Sequence, residues 1–228
     1  MRAFVGLVRN APEYPVDPLP PQPDPFDQFY GTDTGGFILG HDLSTRSDVA
    51  YLGCSPSSLT QALTDLAINY EDFTFIDLGC GKGRALLVAA QFPFRRLLGV
   101  EIAGELCDTA RANATLKPDW AARISISQMD ATKVIFPDGP LLLYFFNPFF
   151  APVLREVLKN LERQLRNSPR PAFILYADNP RFTDVMGSFE FLKQVSDTNY
   201  LLSAEDVARG PFHRTDEWYT LYSADVTR

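Results

Sequence analysis

The chain has 228 residues, of which 46% are hydrophobic, so it is long enough for one α/β domain with a full core and too short for two large ones. Its formal net charge of −7 disfavours sequence-independent binding to nucleic acid, because binding to the phosphate backbone requires clustered Lys and Arg. The longest apolar run, residues 141–150, is much shorter than a membrane span needs, and the sequence therefore predicts a protein that does not act at a membrane.

Residues 1–25 are predicted to form a proline-rich arm. Residues 11–25 contain seven prolines, which remove amide donors and enforce an extended chain that packs poorly. Two interpretations stay open for this arm: a linker that is disordered or lies on the surface, and a ligand for a proline-recognition domain.

Residues 26–70 are predicted to form a capping region made of a loop and a helix. Over residues 26–53, aromatic residues alternate with Gly, Asp and Thr without a clean period, a composition typical of loops that cover an active site. Apolar residues at 59, 63, 66 and 67 then repeat at helical spacing, and Ser55 or Ser57 precedes them as a candidate N-cap.

Residues 71–228 are predicted to form the core domain, which opens with a strand, a glycine turn and a helix. Residues 73–78 are apolar and β-branched enough for a buried strand, and residues 79–83 contain three glycines. Helix-forming residues follow from Arg84 and stop at Pro93. A second apolar strand at 97–100 ends in Glu101.

This unit predicts a site for a nucleoside-bearing cofactor. Glycines let the backbone approach a ligand closely, and the free N–H groups of the following helix favour an anionic group. Glu101, about 20 residues further on, is placed to accept hydrogen bonds from both hydroxyls of a ribose. The alternative is a tight strand-to-helix turn beside a solvated carboxylate.

The remaining elements continue the alternation of helices and strands. Residues 103–116 and 153–166 favour helices, and the strands are predicted at 123–128, 140–146, 171–177, 189–195 and 217–224, the last two as an antiparallel finish. Residues 181–187 provide a connecting helix or turn. The pattern predicts a Rossmann-like α/β fold, with a seven-stranded, mostly parallel sheet, helices on both faces and an antiparallel last strand.

Asn147 is the residue that we expect to carry the chemistry. It stands directly at the carboxyl end of the apolar strand 140–146, where open α/β sheets place their reacting groups. The alternative role for its side chain is to cap the next helix.

Residues 77–83 read Asp-Leu-Gly-Cys-Gly-Lys-Gly, which resembles the first motif of class I S-adenosylmethionine (SAM) dependent methyltransferases, D-x-G-x-G-x-G. A dinucleotide fingerprint has the longer spacing G-x-G-x-x-G. The resemblance implies a methyltransferase with SAM as its cofactor, whose methionine part lies against the glycine turn and whose ribose is held by Glu101. The cofactor-binding residues implied in this unit are Asp77, Gly79, Cys80, Gly81, Gly83 and Glu101.

The same resemblance implies an adenine site after the third strand. In the family an acid at that place meets the adenine amino group and an apolar neighbour lines the ring, which assigns these roles to Asp130 and Met129. A solvated turn aspartate is the alternative for Asp130.

The segment before the first helix of the core resembles a subgroup, the lysine methyltransferases of the Dot1 and FAM173-like type and their bacterial relatives. These carry a Y-x-P-T-P-like segment, of which Tyr51 is retained here, while Gly53, Cys54 and Ser55 stand where Pro, Thr and Pro are expected. The resemblance implies cofactor contacts from Tyr51 and from Ser55 or Ser57, and a plain helix cap is the alternative role for either serine.

The segment Asn147-Pro148-Phe149-Phe150 resembles the [N/D]-P-P-[F/Y] motif of enzymes that methylate amines and amides, with Phe149 in place of the second proline. The resemblance implies that Asn147 and the Pro148 carbonyl accept hydrogen bonds from the acceptor nitrogen, while Phe149 or Phe150 walls the pocket. A protein lysine is the predicted acceptor, and the acidic chain suits a basic protein partner.

Other functions stay open beside this one. The acceptor is alternatively a small molecule or a nucleic acid, or the chain binds SAM without catalysis. A nicotinamide-dependent oxidoreductase would need the longer glycine spacing and a proton donor such as a Tyr and Lys pair, neither of which is apparent.

The three cysteines, Cys54, Cys80 and Cys107, are odd in number and lack C-x-x-C spacing, which favours reduced thiols and predicts a cytoplasmic protein. The two histidines, His41 and His213, have no partner at metal-ligand spacing, so no metal site is predicted.

Overall fold

The computed structural model describes residues 24–45, 49–177, 183–209 and 214–226. Its strands are β1 (Phe37–Ile38), β2 (Tyr51–Leu52), β3 (Thr74–Leu78), β4 (Arg96–Glu101), β5 (Ile124–Gln128), β6 (Leu141–Phe146), β7 (Ala172–Ala177), β8 (Leu192–Leu201) and β9 (Asp216–Ala224). Its helices are α1 (Pro25–Tyr30), α2 (Pro56–Thr64), α3 (Arg84–Ala89), α4 (Gly104–Ala114), α5 (Pro118–Arg123), α6 (Ala151–Asn167), α7 (Thr183–Gly187) and α8 (Ala204–Arg209).

Seven of the strands form one sheet in the order β5-β4-β3-β6-β7-β9-β8. Strands β3 to β7 pair in parallel, whereas β9 runs antiparallel to both β7 and β8. This confirms the predicted Rossmann-like sheet and its antiparallel finish. The strand order reverses between β3 and β6, which is where open α/β sheets hold their ligands, beyond the carboxyl ends of the strands.

Two hydrophobic cores lie on opposite faces of this sheet, as the prediction of helices on both faces requires. Helix α6 turns a buried stripe toward one face, formed by Leu154, Val157, Leu158, Leu161 and Leu165. Helices α2 and α3 cover the other face, with Leu59, Leu63 and Leu86 among its fully buried residues. Strand β3 is buried along its whole length because both layers cover it.

The capping region contains more regular structure than the sequence predicts. Helix α1 occupies residues predicted as the end of the arm and the start of a loop, and Asp24 caps it by accepting from the backbone N–H of Phe26 at 3.0 Å. Pro25 stands in its first turn, where the missing N–H costs nothing. Strands β1 and β2 pair antiparallel over two residues each. Residues 1–23, most of the predicted arm, lie outside the described residues.

Three further elements differ from the prediction. Pro118 begins α5, whereas the sequence suggests only that it ends the preceding helix. Strand β8 starts at Leu192 and continues to Leu201, past the predicted 189–195. Its second half was missed because residues 196–199 are all polar and show no alternation. Helix α8 was not predicted.

Among the described residues, no helix combines the length and the apolar character needed to cross a membrane.

Candidate active site

A cleft of about 450 Å³ opens beyond the carboxyl ends of β3, β4 and β6. Its walls bring together the glycine turn, the end of β4, the turn after β5, the segment after β6 and part of the capping region. Of the residues predicted for the site, Gly83 does not line the cleft, and those that do are Tyr51, Asp77, Gly79, Cys80, Gly81, Glu101, Met129, Asp130, Asn147, Pro148, Phe149 and Phe150.

The glycine turn is packed too closely for side chains. A Cβ atom at Gly79 would lie 2.6 Å from the Cβ of Pro148, and one at Gly81 would lie 2.3 Å from Cε2 of Tyr51. Both glycines also have positive φ angles, 84° and 51°, which side chains disfavour. The turn therefore holds Tyr51 on one side and the segment after β6 on the other.

Glu101 directs its carboxylate at this turn. Its Oε2 accepts from the backbone N–H of Gly81 at 2.9 Å, and its Oε1 accepts from the N–H groups of Ile102 and Ala103 at 2.8 and 2.9 Å. The side chain is buried on the cleft wall. The end of β4 is thus fixed beside the turn, and the role of this acid toward a ribose stays a prediction.

Asp77 adds a second carboxyl group beneath the turn. It is buried, and the pKa of its carboxyl is raised to about 8, chiefly by burial and further by the charge of Glu101. This carboxyl is therefore mostly protonated near neutral pH, and a cationic ligand in the cleft would favour its ionised form.

Asn147 has a backbone conformation that is rare for a residue with a side chain. Among the described residues it is the one non-glycine with a positive φ, 44°. Asparagine tolerates this left-handed region better than most residues, and such strained positions cluster at functional sites. Helix α6 begins at Ala151 with Phe150 at its N-cap, so Asn147 does not cap it.

The phenylalanines after Asn147 lie between core and solvent. Phe149 is half-buried and contacts Phe145, with 6.3 Å between the ring centroids, whereas Phe150 is 46% exposed. Both line the cleft, together with Val153 from the first turn of α6. The end of the cleft near Asn147 therefore has apolar walls.

Met129 and Asp130 follow β5 and lie at another wall of the cleft. The Asp130 carboxylate accepts from the hydroxyl and the backbone N–H of Thr132 at 2.7 and 2.9 Å, and these bonds hold the pKa of its carboxyl below the usual value. Ile102 and Leu106 line the cleft as well, which the sequence did not single out. Ile102 is 51% exposed beside Glu101, an unusual place for a large apolar side chain.

In and before the first turn of α2, Tyr51 lines the cleft, whereas Ser55 and Ser57 do not. Tyr51 is buried and donates its hydroxyl proton to the carbonyl of Thr34 at 2.6 Å. The described walls of the cleft include Gly53 and Cys54 but not Ser55, which stands at the N-cap of α2 without a side-chain hydrogen bond. Ser57 donates its N–H and hydroxyl to Asp206 of α8, so neither serine side chain caps α2 or reaches the cleft.

Two basic residues beside the third glycine hold the capping region on the turn, a role that sequence reasoning missed. Arg84 is buried, its Nη2 pairs with Asp24 at 2.5 Å, and its Nε donates to the Thr34 hydroxyl at 2.7 Å. Lys82 pairs with Asp33 at 2.6 Å. The acids of residues 24–33 were the available signal, since a buried arginine requires a partner.

The three cysteines, Cys54, Cys80 and Cys107, are buried and form no disulfide with one another. The described residues contain no group of three His, Cys, Asp or Glu side chains placed to hold a metal ion.

Part of the chain matches a family model, and its fold is similar to that of solved structures. Residues 75–168, from β3 into α6, match the family model of a methyltransferase domain. No curated protein matches the chain. Among solved structures, a chain from the complex between the Haloferax volcanii Trm112 methyltransferase activator and its partner is similar, with a TM-score of 0.55 and 15% identity over 74% of this chain and 89% of that one.

Two further solved structures share the fold. Magnesium protoporphyrin IX methyltransferase from Synechocystis PCC 6803, solved with bound SAM, has a TM-score of 0.52 and 11% identity over 75% of this chain and 77% of that one. Geranyl diphosphate C-methyltransferase from Streptomyces coelicolor A3(2), solved with S-adenosylhomocysteine, has a TM-score of 0.50 and 15% identity over the same shares. At such identities these likenesses show the fold.

Proposed function

We propose that this chain, a SAM-dependent methyltransferase by its domain and its fold, transfers the methyl group to a nitrogen nucleophile, the side-chain amine of a protein lysine. The observation that carries the proposal is the left-handed backbone of Asn147 at the end of β6, on the wall of the cleft. Strain of this kind is retained where the position of a group matters for chemistry.

The cleft fits the cofactor. SAM supplies a methyl group on a positively charged sulfur, and it carries a ribose and an adenine. The turn at Gly79 and Gly81, which has no side chains there, suits the methionine part. The cationic sulfur would favour the ionised form of the nearby Asp77 carboxyl. Glu101 accepts hydrogen bonds from the ribose. Met129 and Asp130, which follow β5, and Ile102, which follows β4, form the wall against the adenine.

The acceptor end is built around Asn147. Its side-chain oxygen and the carbonyl of Pro148 accept hydrogen bonds from the acceptor nitrogen, which orients the nitrogen lone pair into the cleft. Pro148 is fixed against Gly79, so the acceptor and cofactor parts of the site are in direct contact. The apolar walls of Phe149 and Phe150 suit the methylene stem of a lysine and attract cationic character by their ring faces.

The choice of lysine rests on two further points. The segment Asn147-Pro148-Phe149-Phe150 resembles a motif that acts on amines, and Tyr51 retains part of the segment shared by the Dot1 and FAM173-like group. The net charge of −7 suits a basic protein as partner. The solved neighbours act on a porphyrin and on geranyl diphosphate by their names, so the fold leaves the acceptor open.

The test is incubation of the purified chain with methyl-labelled SAM and an unfractionated lysate, followed by acid hydrolysis of the protein fraction. We expect labelled methyl-lysine, and we expect its formation to be lost when the lysate protein is first acetylated on its lysines. Label confined to RNA, to metabolites or to another amino acid would contradict the lysine proposal. Absence of saturable SAM binding at sub-millimolar concentration would contradict the cofactor assignment.

A further inference from the structure

Asp77 is a buried acid whose carboxyl has no partner among the described residues. The residue is 4% exposed, and no hydrogen bond or ion pair from the described part of the chain reaches its carboxyl. Glu101, the other acid at the glycine turn, differs in this respect, because both of its oxygens accept from backbone N–H groups. A buried carboxyl without donors costs free energy when it is ionised, so the fold favours the neutral form of Asp77.

The carboxyl of Asp77 is open to the cleft. Asp77 lines the cleft beneath the glycine turn, and its oxygens are not among the unpartnered side-chain atoms that the fold seals from solvent. The hydroxyl of Tyr144, its neighbour in register on β6, is sealed in this way. The charge of a ligand in the cleft therefore acts on this carboxyl over a short distance and in a medium that screens it poorly.

Four titratable groups among the described residues face Asp77. They are Glu101 at the end of β4, Cys80 in the glycine turn, Tyr144 on β6 and Cys54 before α2. Burial raises the pKa of both thiols and of the phenol well above their usual values, so these three groups are neutral near pH 7. The cation Arg84 lines the same cleft, and its guanidinium already pairs with Asp24 and Asp27. The pKa of Asp77, about 8, lies by contrast close to neutral pH.

The cofactor and its product differ by one charge. SAM supplies a methyl group on a sulfur with a fixed positive charge; on transfer the sulfur keeps the electron pair of the broken S–C bond, and the product is the neutral thioether S-adenosylhomocysteine (SAH). The sulfur joins the methionine part to the ribose, which the proposed site places at the glycine turn and at Glu101. A positive charge nearby lowers the pKa of a carboxyl by about 1 to 3, whereas a neutral thioether has no such effect.

We propose that Asp77 distinguishes the cofactor from its product by charge, giving up its proton to water when SAM binds and taking one back from water after methyl transfer. The inference rests on SAM as the ligand of the cleft and is independent of the methyl acceptor. Over one cycle the acid releases one proton and regains one, so it ends neutral as it began. Affinity for SAM should therefore rise with pH up to about pH 8, while affinity for SAH changes little, and the exchange of product for fresh cofactor is favoured as the pH rises.

The experiment counts the protons released on binding. Calorimetric titrations of the wild type with SAM and with SAH at pH 7, each in two buffers of different ionisation enthalpy, give that number from the change in observed heat. If bound SAM lowers the Asp77 pKa by about 2, we expect release of about 0.8 proton with SAM and less than about 0.2 with SAH. Between about pH 6 and 7.5 the same lowering raises SAM affinity about 10-fold, and SAH affinity should change by less than about twofold.

Asp77→Asn isolates the carboxyl, because the amide is neutral at every pH. This variant should release no more protons with SAM than with SAH, and its ratio of SAM affinity to SAH affinity should not depend on pH. The amino groups of the ligands titrate alike in both proteins and cancel in the comparison. Asp206→Asn is the matched control: it removes a buried acid that is not among the described walls of the cleft, and it should release as many protons as the wild type.

Each outcome bears on the inference in a defined way. Equal proton release with SAM and SAH in the wild type would overturn it, and that comparison needs no variant. Wild-type release in Asp77→Asn would overturn it as well, because the titrating group would then lie elsewhere. Absence of saturable SAM binding would overturn both this inference and the cofactor assignment, whereas proton release specific to SAM without methyl-lysine formation would support the inference and contradict the proposed acceptor.

Discussion

The backbone N–H of Gly81 and the Oε2 of Glu101 lie 2.9 Å apart and form a hydrogen bond. This one contact joins the glycine turn after β3 to the end of β4, two places separated by 20 residues in the sequence. It sets the orientation of the acid toward the cleft, and it pairs the backbone N–H of a glycine that lies two residues before the N-cap of α3. The ribose end and the methionine end of the proposed site are therefore positioned by a single carboxylate.

Replacement of Glu101 by Gln should weaken SAM binding about 10- to 100-fold. The amide keeps the size of the side chain but replaces a charged acceptor, and hydrogen bonds to charged groups contribute about 1.5–3 kcal/mol. Isothermal calorimetry with SAM measures the effect. Glu156→Gln, on the exposed side of α6, is the matched control and should bind as the wild type does. An affinity within twofold for Glu101→Gln would contradict the ribose role.

Replacement of Gly81 by Ala should abolish SAM binding and lower the free energy of unfolding. The new Cβ would meet the Tyr51 ring at 2.3 Å, and the left-handed backbone costs about 1–2 kcal/mol for a residue with a side chain. Urea titration and calorimetry measure both effects. Gly187→Ala is the control, because a Cβ there meets nothing within 4 Å and its φ is not positive. Wild-type stability in Gly81→Ala would show that the turn can relax.

The core of the fold could be predicted from the sequence because its signals are local. The apolar run of β3, the glycines after it and the stripe of α6 each define an element and its place in a parallel sheet. Asp77, Glu101 and Asn147 stand within one residue of the ends of β3, β4 and β6, and they line the cleft because parallel strands end at the same edge of the sheet. Their roles stay predictions.

The structural features that were not predicted depend on contacts between segments that lie far apart in the sequence. Helix α1 is only six residues long, and its Asp24 cap also pairs with Arg84, 60 residues away. The buried acid of Glu217 lies in β9 and accepts a hydrogen bond from Ser58 of α2, 159 residues before it. No local pattern encodes such pairings, so residues 26–53 were predicted as an irregular loop and Glu217 was assigned no role.

The stability of the protein should fall as the pH rises from about 4 to 8 through Asp77. The pKa of this carboxyl is 3.8 in an ordinary environment and about 8 in the fold, so over that interval the folded state holds a proton that the unfolded state has lost. Its contribution to the free energy of unfolding is then complete below pH 3.8, declines by up to about 1.4 kcal/mol per pH unit and is lost above pH 8.

Asp77→Asn should remove that part of the slope, since the amide is neutral throughout. The variant should match the wild type near pH 4 and exceed its free energy of unfolding near pH 8, as measured by urea titration at each pH. The difference between the two proteins isolates Asp77 from the other titrating groups. Parallel curves for the two proteins would mean that Asp77 is ionised in the folded state.

Replacement of Arg84 by Met should destabilise the protein by about 3–5 kcal/mol, because it leaves the buried carboxylate of Asp24 without its cation. The double variant Arg84→Met with Asp24→Asn should recover part of this loss, since no charge is then stranded. Urea titration measures both. Arg166→Met, which breaks an exposed pair with Glu162, is the control and should change stability by less than about 1 kcal/mol. No recovery in the double variant would argue against the pair as the link to the capping region.

Variants of Asn147 should distinguish binding of the methyl acceptor from binding of SAM. Asn147→Ala removes the side-chain oxygen while Pro148 still packs against Gly79, so SAM affinity should stay within about threefold as methyl-lysine formation falls by about 100-fold or more. Asn147→Gly should lose activity equally but gain stability relative to the alanine variant, because glycine adopts the φ of 44° without cost. Asn147→Asp keeps an acceptor oxygen and should retain part of the rate. Full activity in the alanine variant would place the acceptor nitrogen elsewhere in the cleft, whereas loss of SAM binding in all three would make Asn147 a cofactor ligand.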